Sequence, residues 1–68
     1  MSVAQEKVLA ALVVARQPLT VKAIAARVAG DAAHVQHTLD ALYRRSLVTV
    51  HYERQWTVTE RGERKAAA

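Results

Sequence analysis

Two short helix-like runs, each opened by a capping residue and separated by Ala29-Gly30, constrain this chain more than anything else in it. Leu19-Thr20 leads into Val21-Lys22-Ala23-Ile24-Ala25-Ala26-Arg27-Val28, and Asp31 opens a second run that extends to about Arg45. Thr20 and Asp31 carry side-chain oxygens that accept from the backbone N–H groups left without a partner in the first turn of a helix. The stretch therefore predicts two helices meeting at a tight turn. In the second, Val35, Leu39 and Leu42 recur at the spacing of one helical face, while Ala33, His37, Asp40 and Arg44 fall on the opposite one. One face belongs to a core and the other is open to a partner.

The flanks read as support for this unit. Ser2 to about Arg16 predicts a first helix, with Ser2 and Gln5 at capping-box spacing. Val8, Leu12 and Ala15, flanked by Ala4 and Ala11, form its core face. Val3, Ala10, Val13 and Val14 point largely the other way, so this helix is apolar almost all round and wants a second partner. Chain end or wing can cover that surface, or a homodimer contact can. Gln17-Pro18 ends the helix. In the second helix Val21, Ile24 and Val28 face inward, and Ala25 is the small residue at the close approach. Leu47 to Tyr52 alternates as a strand and Gln55 or Trp56 to Val58 as its return. Pairing Val50 with Val58 and Tyr52 with Trp56 leaves Glu53-Arg54-Gln55 as a three-residue loop, whose last position, Gln55, is one that favours glycine. Ser46 also stands where a left-handed glycine is usual. Thr59 to Lys65 is a charged tail that begins a short turn of helix, and Ala66–Ala68 is expected to fray.

Leu19-Thr20, Ile24-Ala25, Val28, a short turn, a capped helix with Val35 and Leu39-x-x-Leu42, and Leu47-Val48 entering a strand together resemble a winged helix-turn-helix. The MarR-like and ArsR-like bacterial and phage regulators are the similar families, and Trp56-Thr57-Val58-Thr59-Glu60-Arg61-Gly62 resembles the end of their wing. The resemblance covers about Leu19 to Gly62. It implies one domain over 1–68, mainly α with a small β-hairpin: three helices followed by a two-stranded wing, with the helix-turn-helix core at 20–46, the wing at 47–59 and the charged tail at 60–68. Ala29-Gly30 departs from the family habit of glycine directly after the last apolar residue of the second helix. In larger regulators of this kind a further helix past the wing forms the dimer.

Composition narrows the function. With 51% hydrophobic residues but only 4% aromatic, the core must be built from Val, Leu, Ile and one Trp. No cysteine is present, so no disulfide, thiolate metal site or catalytic thiol is available. Met1 to Glu6 has no basic lead and no long apolar run, which predicts neither signal peptide nor membrane span and a cytoplasmic protein. There is no glycine-rich phosphate loop and no nucleophile with a base at a recognisable spacing, so an enzyme is not expected. No cofactor is implied. Ten Lys and Arg against six Asp and Glu give +4, a balance that favours polyanions.

The resemblance therefore implies double-stranded DNA as the partner, with helix 31–45 in the major groove and the wing on the adjacent backbone or minor groove. Ala32, Ala33, Gln36 and His37 are the candidate base contacts: Gln36 suits adenine, His37 guanine, and the alanines a thymine methyl. Thr20, Lys22, Arg44, Arg45 and Arg54 are the candidate backbone contacts. No Arg or Lys precedes Arg44 in the helix, and Asp40 repels phosphates unless it pairs with Arg44, four residues on. Trp56 reads as a packing residue. His34 and His37 lack further ligands at metal-binding spacing, so no metal is expected. A homodimer through Val3, Ala10, Val13 and Val14 would suit the reading of two half-sites. The alternative is a protein-interaction module or a subunit of a larger complex, because the outer face of the would-be recognition helix is alanine-rich and carries Asp40.

Overall fold

The computed structural model describes all residues, Met1–Ala68. In chain order it contains α1 (Val3–Ala15), α2 (Val21–Val28), α3 (Ala32–Arg44), β1 (Val48–His51), a 3-10 turn (Tyr52–Arg54), β2 (Gln55–Val58) and α4 (Glu60–Ala67). The three expected helices are present, and the short turn of helix expected in the charged tail is a full fourth helix that extends through Ala66 and Ala67, which were expected to fray. Each helix start is fixed by a hydroxyl or carboxylate: Ser2 Oγ accepts from Gln5 N at 3.1 Å, Thr20 Oγ1 from Ala23 N at 3.2 Å and Asp31 Oδ1 from His34 N at 2.9 Å. The second half of the Ser2–Gln5 capping box is not formed. Gln5 Oε1 instead accepts from Arg45 Nη1 at 3.4 Å.

Helix ends are made without glycine. Arg16, Ala29 and Ser46 all take left-handed φ, at 55°, 55° and 62°. Gly30, the residue sequence would nominate, does not have positive φ; its N–H closes onto Ala25 O at 3.0 Å while Ala29 takes the left-handed position. At the end of α3, Leu47 N–H bonds Leu42 O at 3.0 Å and Ser46 N–H bonds Tyr43 O at 2.9 Å, the paired closure of a Schellman motif. A side chain in this conformation costs about 1 kcal/mol relative to glycine. Ala29→Gly and Ser46→Gly are each expected to raise the thermal midpoint by ~4–8 °C, measured by circular dichroism.

α1, α2 and α3 pack around one core of twelve buried residues, in which Ile24, Leu39 and Leu42 are wholly sequestered. Val8 and Leu12 of α1 enter it as expected. Leu9, which the sequence reading did not assign, is equally buried, whereas Ala15 is only partly so. Val13 is half-buried beside Val58 and Glu63, so the open row of α1 is Val3, Lys7, Ala10 and Val14.

The hairpin register differs from the expected one by two residues. Val48 pairs with Val58, Thr49 with Thr57, Val50 with Trp56 and His51 with Gln55. A shift of two preserves which side chains share a face, so the apolar face survives. The connecting loop becomes Tyr52-Glu53-Arg54, with left-handed φ at Glu53 and Arg54 and not at Gln55, whose φ is −99°. Tyr52 is consequently 90% exposed, not opposite Trp56. Trp56 is held from its other side: its backbone exchanges two hydrogen bonds with Leu19, at 2.8 and 3.0 Å, and its ring meets Tyr43 edge-on with centroids 6.2 Å apart. These tertiary contacts, rather than a cross-strand aromatic pair, set the register.

α4 is tied to the end of α3 through one side chain. Thr59 Oγ1 donates to Ser46 O at 2.7 Å and accepts from Gly62 N at 3.0 Å, while Thr59 N–H bonds Leu47 O at 3.1 Å. A hydroxyl has one donor and two lone pairs, so it can serve both roles at once.

Candidate nucleic-acid interface

α3 presents its N-terminal half to solvent, because Val35, Leu39 and Leu42 turn the opposite face into the core. Ala32, Ala33 and His37 are exposed, and Gln36 and Asp40 are half-buried. The Gln36 Nε2 amide donates to Asp40 Oδ1 at 2.9 Å. Asp40 thus pairs with the residue four before it and not with Arg44 four after it; the ion pair formed in the chain is Arg64 to Glu60 at 2.7 Å. This fixes the Gln36 amide with one N–H and its carbonyl oxygen still free, the pair a bidentate adenine contact uses. Thr38 is buried within α3, its hydroxyl donating to His34 O at 3.0 Å.

Of the expected backbone contacts, Thr20, Lys22, Arg44 and Arg54 are all exposed. The Thr20 oxygen is occupied as the cap of α2, which leaves its hydroxyl hydrogen as a donor. Arg54 stands at the hairpin tip beside Tyr52, which is exposed and not on the inner face where strand alternation would put it. Arg45, exposed as well, donates from Nη1 to Gln5 Oε1 of α1 at 3.4 Å. His34 lines a hollow against Val3, Ala4 and Lys7 of α1, apart from His37 on the outer row. No group of three His, Cys, Asp or Glu side chains converges as a metal site would require. His51 reaches across the hairpin to Thr57 Oγ1 at 2.6 Å. Trp56 is a core residue, as expected, with its Nε1 buried and unpaired within the protein.

The charge along α3 is balanced: with its caps the helix carries Asp31 and Asp40 against Arg44 and Arg45.

Two capped helices joined by a tight turn, a first helix packed across them and an antiparallel hairpin following α3 define a winged helix-turn-helix. The fold is similar to that of a MarR family transcriptional regulator from Silicibacter pomeroyi DSS, with a TM-score of 0.80 and 23% identity, over 96% of this chain and 46% of that one. It is also similar to a protein of unknown function from Listeria innocua Clip11262, with a TM-score of 0.87 and 25% identity, over 97% of this chain and 48% of that one. The chain spans about half the length of both proteins. No protein-family model matches the sequence, and no curated protein matches it. No helix is long and apolar enough to cross a membrane.

Proposed function

We propose that this protein is a non-enzymatic, cytoplasmic DNA-binding regulator of transcription that sets α3 in the major groove of a duplex and the hairpin against the adjacent backbone or minor groove. The observation that carries the reading is the exposed N-terminal half of α3, capped by Asp31, in a helix followed by the wing and a fold similar to that of a MarR family transcriptional regulator. In this docking Gln36, His37, Ala32 and Ala33 meet base edges, and Thr20, Lys22, Arg44 and Arg54 meet phosphates. Two copies joined through the open row of α1, chiefly Val3, Ala10 and Val14, would present two copies of α3 to a two-fold operator. Sedimentation equilibrium of the parent and of Val14→Asp tests that contact, with the variant expected to be monomeric.

Fluorescence anisotropy of a labelled random-sequence duplex at about 50 and 200 mM salt tests the DNA reading, because phosphate contacts must make affinity fall steeply with salt. Arg54→Ala is expected to weaken binding severalfold on every sequence and to lower the salt slope by ~0.9. Gln36→Ala and His37→Ala should instead flatten the preference between sites, each by a discrimination of ~1–3 kcal/mol. Equal affinity of all three variants and the parent would refute this docking.

The balanced charge of the α3 face favours one other reading, a winged helix that docks on a protein. Alanines at 32 and 33 make a flat contact, and two arginines matched by two carboxylates along α3 and its caps give that helix no net pull on a polyanion. Failure to bind duplex at 50 mM salt would favour it.

A further inference from the structure

Four cations gather where the end of α3 meets α4. Arg45, Arg61, Arg64 and Lys65 surround a shallow cleft of about 410 Å3, with Leu47 and Ala68 completing its wall. No carboxylate side chain lines it. Glu60 is spent on Arg64, and Glu63 lines a separate hollow with Arg16. Arg45 is held toward the cleft side of α3 by Gln5, and α4 is fixed in place by the Thr59 tie to Ser46 and Leu47, so these cations sit on packed elements and not on a free tail.

We infer that this cleft binds the phosphodiester backbone of duplex DNA, as a second, sequence-independent contact surface distinct from the α3 face. The inference rests on the DNA-binding reading and adds phosphate contacts to those of the α3 face. Three of the four cations are arginines, whose planar forks grip phosphate oxygens in pairs. The apolar wall residue Leu47 is buried, so the cleft offers polar donors and no pocket for an apolar anchor of the kind a protein partner brings. Arg45 lies ~20 Å along the helix axis from Ala32, so the cleft engages backbone well away from the base pairs that α3 would read.

The test is an anisotropy titration of the full chain with a labelled random-sequence duplex, comparing the parent, the triple variant R61Q/R64Q/K65Q and Glu60→Gln. Thermal melting is followed alongside, because Arg64 and Lys65 also suit the C-terminal end of α4. The triple variant is expected to bind at least about tenfold more weakly at 50 mM salt, with the salt slope lowered by ~2–3 and the ratio of affinities between different duplexes unchanged. Glu60→Gln, which frees Arg64 from its ion pair, should bind severalfold more tightly, a gain that unfolding cannot produce. Parent-like binding by either variant, with the parent itself binding, overturns the inference and leaves the DNA reading intact. A parent that binds no duplex at 50 mM salt overturns both.

Discussion

Gly62→Ala is expected to destabilise the protein by about 3 kcal/mol, although the same change inside an exposed helix stabilises by about 1 kcal/mol. Gly62 is buried and does not have positive φ, so glycine is required there by space and not by backbone conformation. A Cβ would run into the carbonyl oxygen of Leu47 and lie 2.7 Å from Val58 Cγ2. That carbonyl cannot step aside. It accepts from Thr59 N–H, and its own residue is anchored by the Leu47 N–H bond to Leu42 O that closes α3. α4 must therefore lift, which also pulls the Thr59 hydroxyl away from Ser46 O and Gly62 N. For a domain of this size the total stability is on the order of 3–10 kcal/mol, so the loss is a large fraction of it. The thermal midpoint, read by circular dichroism, should fall by ~12–24 °C. Gly30→Ala is the control: its Cβ would meet Val28 and Val35 methyls at 3.5 and 3.7 Å, ordinary contacts, and the midpoint should barely move. If Gly62→Ala melts with the parent, α4 is not seated on Leu47.

What was legible in the sequence was local. Ser2, Thr20 and Asp31 announce their helices because a cap acts within three residues of itself. Val35, Leu39 and Leu42 announce the buried face of α3 because polar residues alternate with them. α1 is apolar on nearly every side, so periodicity carries no contrast there. Leu9 went unassigned and Val13 was given to the open face for that reason. The wing strands were visible but their register was not, since it depends on Leu19 and Tyr43, residues that reach Trp56 from outside the hairpin. Gly62 gave no sign of its role, because close approach to Leu47 leaves no mark within seven residues on either side. The pairing of Asp40 shows the same limit at the site. Gln36 and Arg44 both lie four residues from it, and spacing alone cannot choose between them.

Removing the charge of Asp40 should tighten duplex binding about tenfold at 50 mM salt, the largest gain expected from any single change on the α3 face. Asp40→Asn keeps an Oδ1 where Gln36 Nε2 now donates, so the orientation of the Gln36 amide and the packing of α3 are retained. What changes is the charge. α3 with its caps passes from two arginines against two carboxylates to an excess of one cation, and the carboxylate removed lies on the helix that would enter the groove between phosphates. Asp31→Asn does not substitute for this experiment, because Asp31 caps α3 through His34 N and its charge also complements the helix N-terminus. The titration compares Asp40→Asn with the parent on a preferred and a random duplex. Tightening on both, with their ratio unchanged, identifies Asp40 as a brake on non-specific affinity, one that makes occupancy depend on the base contacts of Gln36 and His37. Unchanged affinity would mean that this flank of α3 does not lie against phosphates, and the protein-docking reading would then account better for a helix face on which alanine and balanced charge predominate.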